Sequence, residues 1–315
     1  MKKKVSNNLI SKGFRFFLAG LEKKFLLFSD KSLQYPPVFV IGPPRSGTTL
    51  LYQLLTQKYY FSYFSEYAAS YNTIPFLASY FTKKNFDSEN NSFESNFGRP
   101  HGLFSPSEAG EIWNRWFPTE YREGFNYVDE NHLSSGERKV IYQLIRHIEK
   151  LVRAPFINKN VKHGVRIRAM NAIFPDALFI EVYRNPFDNA ASIWEMRQKL
   201  SDNPEKWVSV MPKEIDKILE KDIYRQIAAQ IFSLQKNIKE DMEHIGNDRL
   251  MRVSYEELCR NPVDELESVE LFLRKRGCTI KRKSKNIQKF EVRSKFDSLP
   301  DVVKENLKRA IKEYG

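Results

Sequence analysis

The stretch FVIGPPRSGTTLLYQLL, Phe39 to Leu55, passes from an apolar run through a loop of two glycines, two prolines, an arginine and three hydroxyl side chains into a helical pattern. A buried strand that ends in a glycine-bearing turn and feeds a helix N-terminus aims backbone N–H groups and a positive dipole end at one point, where an anion binds. The spacing follows the phosphate-binding pattern G-x-x-x-x-G-K-[ST], except that Thr48 stands at the lysine position. Arg45, earlier in the turn, restores the cation, and its planar fork addresses two oxygens at once. Gly42 and Gly47 permit the tight path, and Pro44, Arg45, Ser46, Gly47, Thr48 and Thr49 form the cradle.

Working outward from this loop, short apolar runs alternate with longer helical patterns, which predicts an α/β layered fold with a mostly parallel sheet. Val38 to Ile41 reads as the first buried strand, and the Tyr-Pro-Pro before it breaks any preceding helix. Thr48 to Gln57 reads as the helix opened by the loop. Lys162 to Ile167, Ala177 to Tyr183 and Arg249 to Ser254 read as further strands, the last followed by a helix from about Tyr255. Between residues 67 and 151 aromatics are dense and no clear strand appears. That stretch is expected to be a helical insertion, a cap on the acceptor side of one domain spanning residues 36–315.

Composition sets the outer limits. The 315 residues are 41% hydrophobic, enough for a buried core, and the two cysteines, Cys259 and Cys278, are too few for a disulfide framework or a four-cysteine metal site. A reducing, cytoplasmic compartment is the expectation. The net charge of +12 is uneven, with +6 on residues 1–35, +9 on residues 274–315 and −3 on the middle. Basic ends around a nearly neutral body suit an anionic partner: a membrane surface, a nucleic acid or a charged small molecule. Residues 1–35 form a basic amphipathic segment in which Phe14, Phe17, Leu18, Leu21, Phe25 and Phe28 recur at three- and four-residue spacing. Lysines interrupt the apolar runs, so no span of roughly 20 apolar residues forms. Two readings stand: a helix lying at the inner face of the membrane, or a helix packed on the main domain.

A second signature follows the strand at Ala177 to Tyr183. The segment VYRNPFDNAASIW puts Arg184 at the strand end and Ser192 eight residues on, about two turns into the next helix, so both border one crevice at the carboxyl edge of the sheet. Together, GPPRSGTTL and this segment resemble the two cofactor loops of the sulfotransferase family, in the bacterial-type branch similar to the tyrosylprotein sulfotransferases. The resemblance implies a P-loop-like three-layer fold and a sulfonate donor, 3′-phosphoadenosine 5′-phosphosulfate (PAPS), released as 3′-phosphoadenosine 5′-phosphate. It places the 5′-phosphosulfate on the loop of Arg45 and the 3′-phosphate on Arg184 and Ser192. It further nominates Tyr255, in MRVSYEELCRNP, and Lys295, in VRSKFDSLPDVV, as cofactor contacts, with Ser294 and Arg293 as neighbours.

Sulfonate transfer to a hydroxyl needs in-line attack, a base for the acceptor proton and cations for charge developing on the transferred and leaving groups. Arg45 supplies one cation. The segment INKNVKHGVRIRAMNAIFPDALF resembles the stretch that carries the family's catalytic lysine, which aligns with Lys159; Lys162 is its neighbour and competitor. The same resemblance assigns the base to Glu66 in FSYFSEY. His101 is the alternative, since the cytosolic branch uses a histidine, and Glu108 and Glu111 are weaker candidates; His132, His147, His163 and His244 read as surface or structural residues. No metal constellation is visible in the sequence. The expected acceptor is a hydroxyl of a carbohydrate or glycolipid, with a protein tyrosine or a small lipid as the alternatives and no nucleic acid as partner. The competing readings are a P-loop kinase or nucleotide-binding protein, which would need the loop lysine, and a non-catalytic module for anionic polymers.

Overall fold

The pairing of the strand at Val38–Ile41 organises the molecule. In this computed structural model, which describes residues 12–83, 95–96, 99–100, 102–117, 127–200, 203, 205–292 and 294–315, that strand sits second in a four-stranded sheet. The elements in chain order are α1 (Lys12–Phe28), β1 (Val38–Ile41), α2 (Thr48–Lys58), α3 (Glu66–Ser70), α4 (Pro75–Thr82), β2 (Ser95–Asn96), β3 (Arg99–Pro100), α5 (Gly110–Trp113) and α6 (Ser135–Val152). There follow β4 (Ile157–Lys159), α7 (Ile167–Ile173), β5 (Leu178–Tyr183), α8 (Pro186–Leu200), α9 (Ile215–Leu219) and α10 (Ile223–Ile245). The chain closes with β6 (Leu250–Ser254), α11 (Tyr255–Arg260), α12 (Pro262–Lys275) and α13 (Asp301–Tyr314).

The sheet order is β4-β1-β5-β6, every neighbouring pair parallel, with Val40 opposite Lys159 and Ile180, and Val182 opposite Val253. Helices cover both faces, as parallel strands with nearly continuous apolar sequence require. On one face Phe39, Ile41 and Phe179 pack with Trp113, α6 and α7; on the other Val38, Val40, Ile157, Leu178, Ile180 and Val182 pack with α2, α11 and α12. A further cluster joins α8, α10 and α13 through Ala190, Ile193, Ile227 and Leu307. The result is the mostly parallel, helix-flanked sheet expected from the sequence.

Two local readings change. The strand expected at residues 162–167 lies instead at Ile157–Lys159, while Val161–Val165 forms a 3₁₀ turn leading into α7. Asn158 and Lys159 hide this strand from a hydropathy reading, and pairing with β1 overrides their weak strand preference. Within the stretch expected as a cap, α6 is an integral core helix: a Ser134–Glu137 capping box starts it, and Ile141, Leu144, Ile145 and Ile148 are fully buried. The N-terminal helix α1 packs on α6, with Leu26 inside the core. Among the described residues no helix is long and apolar enough to cross a membrane. Both cysteines are buried free thiols.

Candidate active site

Parallel pairing puts the carboxyl ends of all four strands along one edge, where ligands bind in open α/β sheets. Lys159 ends β4, the Gly42–Gly47 loop leaves β1, Arg184 follows β5 and Tyr255 follows β6.

The loop is held in a conformation that few residues other than glycine tolerate. Gly42 has φ 145°, and a β-carbon there would sit 2.4 Å from the Val182 carbonyl oxygen. Gly47 has φ 102°, and its β-carbon would meet the Tyr255 ring at 2.3 Å. Arg45 itself adopts the left-handed region, φ 65°, at the crest of the turn. Asn189 of α8 pins the loop from the side by donating to the Pro44 carbonyl at 2.7 Å.

The two predicted cofactor signatures meet here. Arg45 Nε donates to Ser192 Oγ at 3.1 Å, and Arg184 leans toward the Arg45 carbonyl at 3.5 Å while its guanidinium lies 4.5 Å from the centre of the Tyr255 ring. Burial, and after it the Arg184 charge, hold the Arg45 pKa below its usual value, with Glu195 opposing. Burial also pushes the Tyr255 hydroxyl up to about 12. Two cations thus share a desolvated corner, an arrangement that an anion relieves. Ser46 Oγ and Arg184 Nε are buried and have no hydrogen-bond partner among the described residues. These orphaned donors, with the glycine-shaped loop, fit a phosphate-bearing donor.

Lys159 and Glu66 lie on the other side of the loop. The Lys159 ammonium is buried and ion-paired with Glu108, whose side chain is 33% exposed; Lys162, half-buried on the 3₁₀ turn, has its pKa lowered by burial. Glu66 is the first residue of α3, capped by Ser65, and its backbone N–H donates to the Ser105 carbonyl. Both Glu66 and Glu108 are close enough to the buried Tyr52 hydroxyl to oppose its ionisation, behind the larger effect of burial. The two carboxylates therefore share one neighbourhood, bordered by the Lys159 side chain. His101 lies outside the described residues, as does Arg293.

The late basic segment is anchored on α8. The Asp188 carboxylate accepts from the Ser294 hydroxyl and from the backbone N–H groups of Lys295 and Phe296, and the Lys295 ammonium pairs with Glu195. Since Glu195 also acts on Arg45, it links Lys295 to the loop.

Two residues here escape a reading of the sequence, and a third, Glu108, ranks there only as a weaker base candidate because nothing in its segment announces a partner 51 residues away. Asn189 lies inside the R-N-P-F-D-N run but carries no family role, and Glu195, one turn beyond Ser192, could have been found only by its helical spacing.

A sequence profile described as the sulfotransferase family matches residues 36–275. The omega-hydroxy-beta-dihydromenaquinone-9 sulfotransferases Stf3 of Mycobacterium bovis and Mycobacterium tuberculosis are each 25% identical over 252 residues, 73% of this chain and 61% of theirs. The chain thus spans less than two thirds of the length of these relatives. Among solved structures, sulfotransferase STF1 of M. tuberculosis superposes with a TM-score of 0.54 at 16% identity, over 94% of this chain and 85% of its own. Sulfotransferase STF9 of Mycobacterium avium gives 0.53 at 16% identity, over 96% and 73%. At that identity the two structures speak for the fold alone.

Proposed function

The chain belongs to the sulfotransferase family, and on that premise we propose that it transfers the sulfonate group of PAPS to a hydroxyl of an acceptor by in-line displacement. The observation that carries this reading is the meeting of Arg45, Ser192 and Arg184 at the carboxyl edge of β1 and β5, beside buried donors with no partner among the described residues. When bound, PAPS supplies a sulfonate on a stable phosphate leaving group. The rest of the chemistry falls to the chain. Pro44 to Thr49 hold the 5′ end through first-turn N–H groups and the hydroxyls of Ser46, Thr48 and Thr49. Arg184 and Ser192 hold the 3′-phosphate, Tyr255 supports Arg184, and Lys295 closes the pocket from the C-terminal side.

Arg45 and Lys159 answer the charge that develops on the transferred and leaving oxygens. Glu66 takes the acceptor proton, while Glu108 orients the Lys159 ammonium through their ion pair. The acceptor is a hydroxyl on a carbohydrate or on a lipid-linked molecule. The Stf3 relatives are named for a hydroxylated menaquinone, which favours a lipid-borne group. The test is a transfer assay with sulfonate-labelled PAPS against panels of glycans, glycolipids, hydroxylated isoprenoid lipids and tyrosine peptides. Label is expected on a glycolipid or lipid hydroxyl. Sulfonate transfer to none of the panels, or phosphoryl transfer to them from γ-labelled ATP, overturns the proposal.

A further inference from the structure

Helix α1 buries only one side. Glu22 and Leu26 face the protein, whereas Phe14, Phe17, Leu21, Phe25 and Phe28, at i, i+3, i+7, i+11 and i+14, are 48–86% exposed. At 100° per residue these five fall on a single stripe. The stripe does not end with the helix. Phe25 stacks on Phe76 at 5.5 Å, Phe76 meets Tyr80 at 6.4 Å, and Tyr80 meets Phe81 of α4, itself 78% exposed, at 5.7 Å. Two helices therefore present one band of aromatic side chains, larger than single exposed apolar residues on an ordinary surface.

The exposed charges that flank the band on α1 and α4 are basic: Lys24 lies next to Phe17 around the helix, and Lys83, at the end of α4, lies over the Tyr80 ring at 4.5 Å. Lys23 points to the other side of α1, toward Glu137, and the exposed Asp30 lies beyond the helix end. The only acid in α1, Glu22, is buried and accepts from the Phe76 and Leu77 N–H groups at the start of α4, and α4 contains no acid. A second copy of the chain docked on this face would oppose lysine with lysine, while an anionic surface complements it.

We propose that the α1–α4 face docks on an anionic lipid bilayer, the aromatic band entering the headgroup boundary and the lysines meeting lipid phosphates. The orientation follows from α3. Arg15 of α1 lies over the Tyr71 ring at 4.9 Å, Tyr71 meets Tyr67 at 4.8 Å, and Tyr67 follows Glu66. Docking therefore sets the base proposed above one short helix from the lipid surface. A lipid-borne hydroxyl would then need to rise only from the headgroup boundary to Glu66 while its apolar tail stays in the bilayer. Docking depends on the face alone; delivery of the acceptor rests on the transfer reaction proposed above.

The experiment is vesicle co-sedimentation of the full chain without donor or acceptor. Vesicles of equal parts phosphatidylcholine and phosphatidylserine are expected to bind the protein about tenfold better than phosphatidylcholine alone. The double variant Phe17→Glu, Leu21→Glu, both exposed and outside the site, should lower binding at least about tenfold with an unchanged circular dichroism spectrum. Lys24→Glu with Lys83→Glu should erase the preference for phosphatidylserine. Binding of adenosine 3′,5′-bisphosphate should be the same in all three proteins. Vesicle binding by a preparation that transfers no sulfonate still supports docking, so the two proposals fail separately. Absent binding by the unmodified chain, or a stable dimer that Phe17→Glu, Leu21→Glu dissolves without any vesicle binding, overturns docking.

Discussion

At the scale of single residues, the proposed site separates binding from chemistry, and two substitutions test that separation. Glu66 opens a short helix outside the Pro44–Thr49 loop and is assigned to the acceptor proton, so Glu66→Gln should keep the affinity for adenosine 3′,5′-bisphosphate and lower the transfer rate by about 10²–10⁴-fold. Single-turnover kinetics and calorimetric titration measure the two quantities; undiminished transfer would remove Glu66 from the role of base. Arg184, proposed to hold the 3′-phosphate, has its Nε buried and without a partner among the described residues. Arg184→Ala should weaken a 3′-phosphorylated nucleotide by about 10–100-fold, and an analogue lacking that phosphate far less. Equal losses would sink the assignment. Arg45, Arg184 and Ser192 were legible in the sequence because each occupies a fixed offset within a strand–turn–helix unit, which sets local geometry. The pairing of Glu108 with Lys159 was not, because it depends on where two distant segments fall in the fold.

At the scale of elements, legibility follows length and burial. The long amphipathic pattern of α10 and the apolar run of β5 declare themselves, whereas the three-residue β4 forms through hydrogen bonds with distant segments, β1 on one side and Ser62 on the other. Docking of α1 is likewise tertiary, and its junction with α4 and α6 titrates. Burial raises the Glu22 pKa to about 7, against the backbone N–H groups of Phe76 and Leu77 and the charge of Arg115, which lower it. The folded state then holds this proton more tightly than the unfolded chain, so stability is lost as pH rises from 4.5 through 7. His147, beside Phe25 and Phe76, has its pKa lowered to about 4 by burial and by Arg146 and Lys150; its contribution is lost as pH falls from 6.5 through 4. The two effects oppose each other between pH 4.5 and 6.5, and the histidine effect fades above that range while the Glu22 effect persists; the buried His163 and Asp241 titrate elsewhere in the fold, so the Glu22 contribution is read as a difference between two proteins. Relative to Glu22→Gln, the unmodified chain should lose on the order of 1 kcal/mol between pH 6.5 and 8 in denaturant unfolding. Equal pH slopes in the two proteins would remove Glu22 as the source.

At the scale of the whole molecule, one edge of the sheet collects residues from nearly the entire chain: Arg45 after β1, Lys159 at the end of β4, Arg184 after β5, Tyr255 after β6 and Lys295 ahead of α13. The last of these arrives by a route no local pattern contains, since Asp188 at the start of α8 anchors Ser294 to Phe296. A ligand that bridges these segments binds the folded state alone and must stabilise the fold as a unit. At a hundred times its dissociation constant it adds about 2.7 kcal/mol, which raises the melting temperature by roughly 5 °C in a protein of this size. Adenosine 3′,5′-bisphosphate is expected to produce that shift. The 5′-monophosphate should give a much smaller one at the same concentration, because Arg184 and Ser192 then have no phosphate between them and the repulsion between Arg45 and Arg184 is only partly answered. Added salt should shrink the difference, as it screens the charges on both partners. Differential scanning calorimetry decides the matter: equal shifts with the two nucleotides, or none with either, would mean that the two loops meet without forming a nucleotide site.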